Sequence, residues 1–317
     1  MVQPYVELRE NTANRDRSLR EKVMSLAEAA VLVHDGEHVA LGGCTMSRTP
    51  LAMIWALIRA RKKDLMISRS IVSTEGDLLF ASGVSRHILT SWFSQGIVWG
   101  VSKVMRHYTE SKQARFEEWS HMSIGLRYRA GAMGVPFMPS RTMMGSDVAG
   151  LLPEIKKIDC PYTGEPLVLL PALNPDVALI HVQRCDAYGN AQIDGLQFMD
   201  PDIAMAAKRV ILTTERIVSN DQIRRAPDQT KIPFFAVEAV VEVPYGSAPH
   251  ECYGQYEPLF DAMDAYAAMT KQDPVQGVSD YLERYYHQPE SWTAYLELLG
   301  LESLLDASRR GRSIYND

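Results

Sequence analysis

The stretch Asp35-Gly36-Glu37-His38-Val39-Ala40-Leu41-Gly42-Gly43-Cys44-Thr45-Met46-Ser47-Arg48-Thr49-Pro50 decides how the rest of the chain is read. Val39, Ala40 and Leu41 form a short apolar run of buried-strand character, and Gly42-Gly43 breaks it. Pro50 then heads the apolar run Leu51-Ala52-Met53-Ile54-Trp55-Ala56-Leu57-Ile58, and proline is pre-set for a first helical position. The reading is strand, glycine turn, helix. In α/β folds this unit brings backbone N–H groups and a helix start to the carboxyl edge of a sheet. A glycine pair there lets a ligand come close to the main chain. Neither G-x-G-x-x-G nor G-K-[ST] occurs in it, so it is no nucleotide fingerprint, and a lone Gly-Gly reads by default as a tight βα connection.

Outward from that turn, the chain alternates. Ser25 and Glu28 form a capping-box pattern ahead of an apolar run that stops at Gly36. Leu65-Met66-Ile67 is a second strand, residues 76–81 a short helix, and residues 88–93 a strand ending at Ser94-Gln95-Gly96. Residues 117–133 read as one helix with Trp119, Met122, Leu126, Ala130 and Met133 on a core-facing stripe; Ser120 is the cap, and His121 the first residue, if the regular part begins a turn later. Phe137-Met138 starts another strand, and residues 154–166 form a polar excursion. Residues 176–182 are a buried strand, Asp186 to Asn190 a tight turn in which Gly189 and Asn190 supply positive φ, and Asp200-Pro201 opens a helix. Strands at 210–213 and 236–243 follow, the latter with Glu238 and Glu242 on its wet face. The pattern predicts an α/β fold: a doubly wound, largely parallel sheet flanked by helices, with a helical C-terminal region. The expected organisation is a polar arm over 1–20, mobile or laid on a partner, an α/β domain over 21–255, and a helical extension of the same unit over 256–317. The basic tail at 308–312 reads as loose.

Composition narrows the function. The 317 residues carry a net charge of −6 with mixed signs, so no basic stripe points to nucleic acid. No apolar run approaches membrane length and the first five residues do not resemble a signal peptide, so a cytoplasmic protein without membrane contact is expected. Four scattered cysteines without C-x-x-C spacing suggest neither a metal site nor a disulfide framework.

The 35–50 stretch resembles the signature of class I coenzyme A-transferases: an acidic-Gly turn, two residues, three apolar residues, Gly-Gly-Phe, and a proline at the next helix start. Cys44 departs from the Phe, and Arg48 from a commoner Gly, although glutaconate-type first subunits are alike there. The Asp186-x-x-Gly189-Asn190 turn and the Pro244-Tyr245-Gly246 … Cys252-Tyr253-Gly254 segment are similar to the same family, so the resemblance spans roughly residues 21–300. It implies a three-layer fold and the α (A) subunit of a heteromeric enzyme, nearest to glutaconate type, paired with a β (B) subunit in an α2β2 heterotetramer. It also implies ping-pong transfer of CoA between an acyl-CoA and a carboxylic or dicarboxylic acid. The CoA thioester is a substrate, and no tightly bound cofactor or metal is implied. The nucleophile in such enzymes is a Glu in a Ser-Glu-Asn-Gly-like segment of the second subunit, and this chain has no such segment.

Site expectations follow from the same resemblance. Backbone donors around Gly42, Gly43, Cys44 and Thr45, with Arg48, face the substrate; apart from the resemblance, loops after parallel strands collect at the ligand edge, so Ser94, Gln95 and Gly96 are either site residues or an ordinary polar turn. His121 aligns with the family's helix-initial Gln, an oxyanion donor, and a steroid-ring C–C hydrolase branch carries an acid there, while on its own it reads as a solvated helix cap; Arg141 resembles that branch's basic residue or is a surface ion-pair partner. Asp186, Gly189 and Asn190 are a turn motif, and Cys252 packs. Two other readings stay open: CoA-ester C–C hydrolysis or decarboxylation with His121 as base, and a non-enzymatic ligand-binding or regulatory subunit.

Overall fold

The computed structural model describes residues 6, 7, 10, 13–96 and 98–313. The first five residues, read above as unlike a signal peptide, lie outside them. At its centre is a seven-stranded sheet of β1 (His38–Leu41), β2 (Leu65–Ser68), β3 (Ser85–Thr90), β4 (Arg115–Glu118), β5 (Val177–Val182), β6 (Arg209–Thr214) and β7 (Val237–Glu242). The order is β7-β6-β5-β1-β2-β3-β4, with every neighbouring pair parallel. The chain therefore winds one way from β1 through β4, returns to the other side of β1, and winds the opposite way from β5 through β7. The switch point lies between β1 and β5, and it is there that doubly wound sheets open a crevice at their carboxyl ends.

Alternation along the strands builds two cores. Val39 and Leu41 of β1, with Val177 and Leu179 of β5, face α1 (Leu26–Val31), α2 (Leu51–Arg59) and α3 (Thr74–Ala81). Ala40, Ala178, Ile180 and Val182 face α4 (His121–Met133) and α5 (Asp200–Ala206). Helices thus cover both faces of a buried parallel sheet. The C-terminal helices α6 (Phe260–Gln272), α7 (Pro274–Leu282) and α8 (Trp292–Leu299), with the turn Glu283–His287, bring Tyr266, Tyr281, Tyr286, Trp292 and Tyr295 into the same core as α2, and α9 (Leu301–Ser313) packs Leu304 and Ala307 against Tyr256 and Leu259. Among the described residues no helix is long and apolar enough to cross a membrane.

Several local expectations are corrected. Residues 117 and 118, expected in the helix, instead end strand β4, because Glu117 turns inward to bond His87 (3.0 Å) and the Trp119 indole (2.9 Å). Helix α4 starts at His121 with Ser120 as its cap, and its buried face is Ser123, Ile124, Arg127, Tyr128, Ala130 and Gly131. Met122 and Met133, expected in the core, are exposed. Trp92 and Phe93 leave the main sheet to pair with Ile71 and Val72. The polar excursion contains a strand, Lys156–Asp159, paired antiparallel with Pro166–Pro171, which also takes Phe137–Ser140 on its other edge. Residues 308–312 are not loose: they complete α9, whose Gly311 lies so close to Tyr256 that an added Cβ would meet its backbone at 2.5 Å. On the arm, the Arg15 guanidinium donates to the Met205 and Ala207 carbonyls at the end of α5.

Candidate active site

The glycine turn leaves β1 at the switch point, and the surrounding residues close it from three sides. Gly42 N–H donates to Leu179 O (2.8 Å) and Gly43 N–H to the Asp200 carboxylate (2.8 Å). Cys44 and Ser47 exchange backbone bonds (3.1 and 2.9 Å), Thr45 N–H donates to Ile71 O (3.3 Å) and Arg48 N–H to Glu251 O (2.9 Å). Gly43 has φ +68°, and a Cβ there would stand 2.1 Å from Ser47 O, so glycine is required by both backbone and space. The donors expected to face a ligand from Gly42, Gly43, Cys44 and Thr45 are therefore engaged inside the protein.

Arg48 is also directed inward. Its side chain has no exposed area; the guanidinium pairs with Asp200, itself fully buried at the start of α5, and donates to His181 O (3.1 Å) and Leu196 O (2.9 Å). Arg69, just past β2, braces the loop from the other side. It donates to Gly42 O (3.1 Å), Thr45 O (3.0 Å) and Thr49 Oγ1 (3.0 Å), and pairs with Glu75.

A strap after β7 covers the third side. Gly246 O accepts from Ala52 N–H (2.9 Å), Ser247 Oγ donates to Thr49 O (2.6 Å), and Glu251 N–H donates to Met46 O (2.9 Å). Burial, with Arg69 nearby, pushes the His250 pKa down to about 3, so the ring is neutral. The Thr49 hydroxyl proton goes to Thr45 O (3.2 Å); His250 Nδ1–H therefore donates to Thr49 Oγ1 (2.8 Å) and Nε2 accepts from Thr74 (2.7 Å). The strap is tied back through Glu215, which accepts from Tyr245 N–H (2.8 Å), Gly246 N–H (3.2 Å), Tyr256 OH (2.7 Å) and His181 Nε2 (2.7 Å). His181, Glu215 and Cys252 place ligand-type atoms within 4.8 Å of one another, but Glu215 already accepts four hydrogen bonds there. Burial pushes the Cys252 thiol well above its usual range, in keeping with a packing role.

His121 stands elsewhere on the same edge. It follows β4, three strand spacings from β1, about 14 Å at ~4.8 Å per spacing. A chain of contacts links the two places: Gly42 O to Arg69, then Ser70 O to the N–H of Ser91 (3.1 Å), then Ser91 Oγ to His121 Nδ1 (3.3 Å). The ring is exposed. Ser120 Oγ accepts from Ser123 N–H (3.1 Å), whereas the His121 and Met122 N–H groups have no partner among the described residues. They are open donors on this edge. Arg141 lies one residue from Thr142, whose hydroxyl is 2.9 Å from Ser120 Oγ, but its guanidinium points out to Glu165 (3.4 Å).

Ser94 and Gln95 are buried, and Gln95 Nε2 donates to Asp77 (3.2 Å) and, at 3.4 Å, to Thr270 of α6, away from solvent. Gly96, at φ +99°, lies beside Met46 and Trp99, so this loop meets the glycine loop through Met46. Asp186 is a turn residue: it accepts from Tyr188 N–H, Asn190 N–H, and the side-chain amides of Asn190 and Asn220. Only Gly189 has positive φ there; Asn190 contributes its amide instead.

A profile of the family described as Coenzyme A transferase matches residues 23–243. This chain belongs to the coenzyme A transferase family. An uncharacterized protein of Archaeoglobus fulgidus is 38% identical over 301 residues, 94% of this chain and 66% of that one, so this chain spans about two thirds of that relative. The A subunit of glutaconate CoA-transferase from Acidaminococcus fermentans is 33% identical over 90% of this chain and 94% of its own length. The A subunit of 3-oxoadipate CoA-transferase from Pseudomonas knackmussii is 37% identical over 74% of this chain and 84% of its own. The crystal structure of the Acidaminococcus glutaconate coenzyme A-transferase superposes with a TM-score of 0.85 at 32% identity, covering 90% of this chain and 95% of that one.

Within this family member, the residues that hold the glycine loop are ones that sequence patterns do not single out: Asp200, Arg69, Glu75, Glu215 and His250. The only sequence signal for Asp200 is its place before Pro201; for the others, a polar residue inside or just after an apolar run is the available sign.

Proposed function

We propose that the chain is the A subunit of a heteromeric CoA-transferase that moves CoA between an acyl-CoA and a carboxylic acid, a dicarboxylic acid by analogy with the glutaconate relative. Residues 21–255 and the helices of 256–317 act as one unit, through the core shared by α2 and the C-terminal helices. The B subunit, in an α2β2 assembly in the cytoplasm, supplies a glutamate that attacks the thioester to give a glutamyl-CoA intermediate. The observation that carries this reading is the near full-length likeness to an A subunit, joined to a chain without a Ser-Glu-Asn-Gly segment.

In this reading the glycine loop is scaffold and the start of α4 is the working edge. The free His121 and Met122 N–H groups, at the positive end of the helix dipole, suit a developing oxyanion. Because the Ser91 hydroxyl donates to Ser70 O, the His121 Nδ1–H is spent on Ser91 Oγ (3.3 Å) in the resting arrangement, and the exposed neutral ring adds a side-chain donor once it turns that N–H toward the substrate. Gly96 and Met46 line the approach, and Arg141, freed from Glu165, faces a substrate carboxylate. The same exposed ring favours one second reading, in which His121 takes a proton from water and the complex hydrolyses a cyclic-ketone CoA ester. Purified with its partner, the protein should transfer CoA from an acyl-CoA to an added carboxylate; produced alone it should not. Transfer by the lone chain refutes the reading, and acid-independent thioester or ring cleavage by the pair favours the second.

A further inference from the structure

The opposite edge of the sheet carries a feature that transfer chemistry does not use. Between the ends of α2 and α3 lies a cavity of about 800 Å³ whose lining includes Arg59, Arg61, Lys62, Lys63 and Arg86. Only two carboxylates line it, Asp64 and Glu283, leaving an excess of three positive charges in a chain of net charge −6. A basic last turn complements a helix dipole, and that is the ordinary explanation of such residues. Here it accounts for Arg59 alone, whose guanidinium donates to Tyr286 O (3.1 Å) and His287 O (3.0 Å) at a neighbouring helix end and lies over Trp55.

Among the described residues, the side chains of Arg61, Lys62 and Lys63 have no ion-pair or hydrogen-bond partner, and Arg86 has a single long bond to Gln113 O (3.3 Å). The turn that crowds them is held by Gly36 N–H on Lys63 O (3.1 Å) and by Lys63 N–H on the Asp35 carboxylate (2.8 Å). Arg61 (φ 52°) and Asp64 (φ 57°) both sit in the left-handed region, so the turn is strained at each corner. A shallow depression beside it shares Arg86 and adds Lys112, which also has no ion-pair partner among the described residues. Like charges gathered around a concavity repel one another, and their summed field attracts whatever anion enters. The volume is that of a small-molecule site rather than a flat stripe for a polymer.

We infer that this cavity binds a small molecule bearing a diphosphate or triphosphate group, on the sheet edge opposite the transfer site. The test is calorimetric titration of the full chain with its partner subunit, using inorganic pyrophosphate as probe and orthophosphate for comparison, at low and high salt. Pyrophosphate should bind once per chain, more tightly than orthophosphate, and weaken as salt rises. Lys62→Ala/Lys63→Ala/Arg86→Ala should weaken it by roughly tenfold or more, leave CoA transfer unchanged, and abolish the rise in Tm that pyrophosphate gives the wild type. Lys62→Arg/Lys63→Arg should retain binding. Absence of pyrophosphate binding at millimolar concentration, or binding undiminished in the triple alanine variant, overturns the inference without touching the transferase reading.

Discussion

Replacing Asp200 by alanine tests whether the glycine loop is held from behind. The carboxylate accepts Gly43 N–H at 2.8 Å and pairs with Arg48, and neither Arg48 nor Asp200 has any exposed side-chain area. Without it the guanidinium keeps only two carbonyl partners, and its Nε already lacks one. Breaking a buried pair from one side costs about 3–5 kcal/mol, because the remaining charge stays buried without compensation. The orphaned Gly43 N–H belongs to the same loss and is not added to it. At roughly 2.1 cal/mol/K per residue, a chain of 317 residues changes by about 0.7 kcal/mol per degree, so Tm should fall by about 4–7 °C. Thermal unfolding of the paired enzyme, followed by calorimetry, measures this. The double variant Arg48→Met/Asp200→Leu should recover much of the loss, since it leaves no stranded charge. A Tm for Asp200→Ala within about 1 °C of wild type would refute the buried-clamp account.

Two further predictions concern other parts of the edge. If His121 donates to the oxyanion, His121→Gln should keep much of the transfer rate while His121→Ala loses about 10²–10³-fold; if it is a base, both are equally impaired and a Glu replacement retains some hydrolysis. Burial raises Asp77 to about 6 from 3.8, against hydrogen bonds from Ser102, Tyr266 and Gln95 that favour the charged form. The folded protein therefore holds this proton between about pH 4 and 6 where the unfolded chain has lost it, and stability from this group falls as pH rises through that window. At about 1.4 kcal/mol per pH unit the displacement amounts to about 3 kcal/mol, so the stability of Asp77→Asn relative to wild type should improve by up to that amount from pH 4 to pH 7. Denaturant titration at the two pH values measures the difference, and a pH-independent difference would contradict it.

The fold was legible where local chemistry and tertiary packing agree. The Ser25–Glu28 capping box forms as read, and Gly43 needs its glycine for the backbone reason the turn suggests. Misreadings cluster where a distant partner reverses a local preference. Glu117 and Glu118, two consecutive glutamates, look helical; Glu117 is accepted inside the sheet because His87 of the neighbouring strand β3 bonds it, as does the Trp119 indole two residues on. The core face of α4 is set by Arg127, which lies 3.8 Å over the Trp119 ring and donates to Pro171 O, so a stripe chosen by hydropathy picked exposed Met122 and Met133. The same limit governs the site. That Gly43 N–H is taken follows from a carboxylate 157 positions away, and no spacing within 35–50 announces it.

The central claim is that this chain frames the thioester while its partner carries it. Incubating the purified pair with acyl-CoA, reducing with borohydride and mapping peptides by mass locates the esterified residue directly. The account predicts a reduced glutamate on the partner, with this chain unmodified, including Glu118, which is exposed at the end of β4 three residues before His121. A label on Glu118, Cys44 or Cys252 of this chain would contradict it.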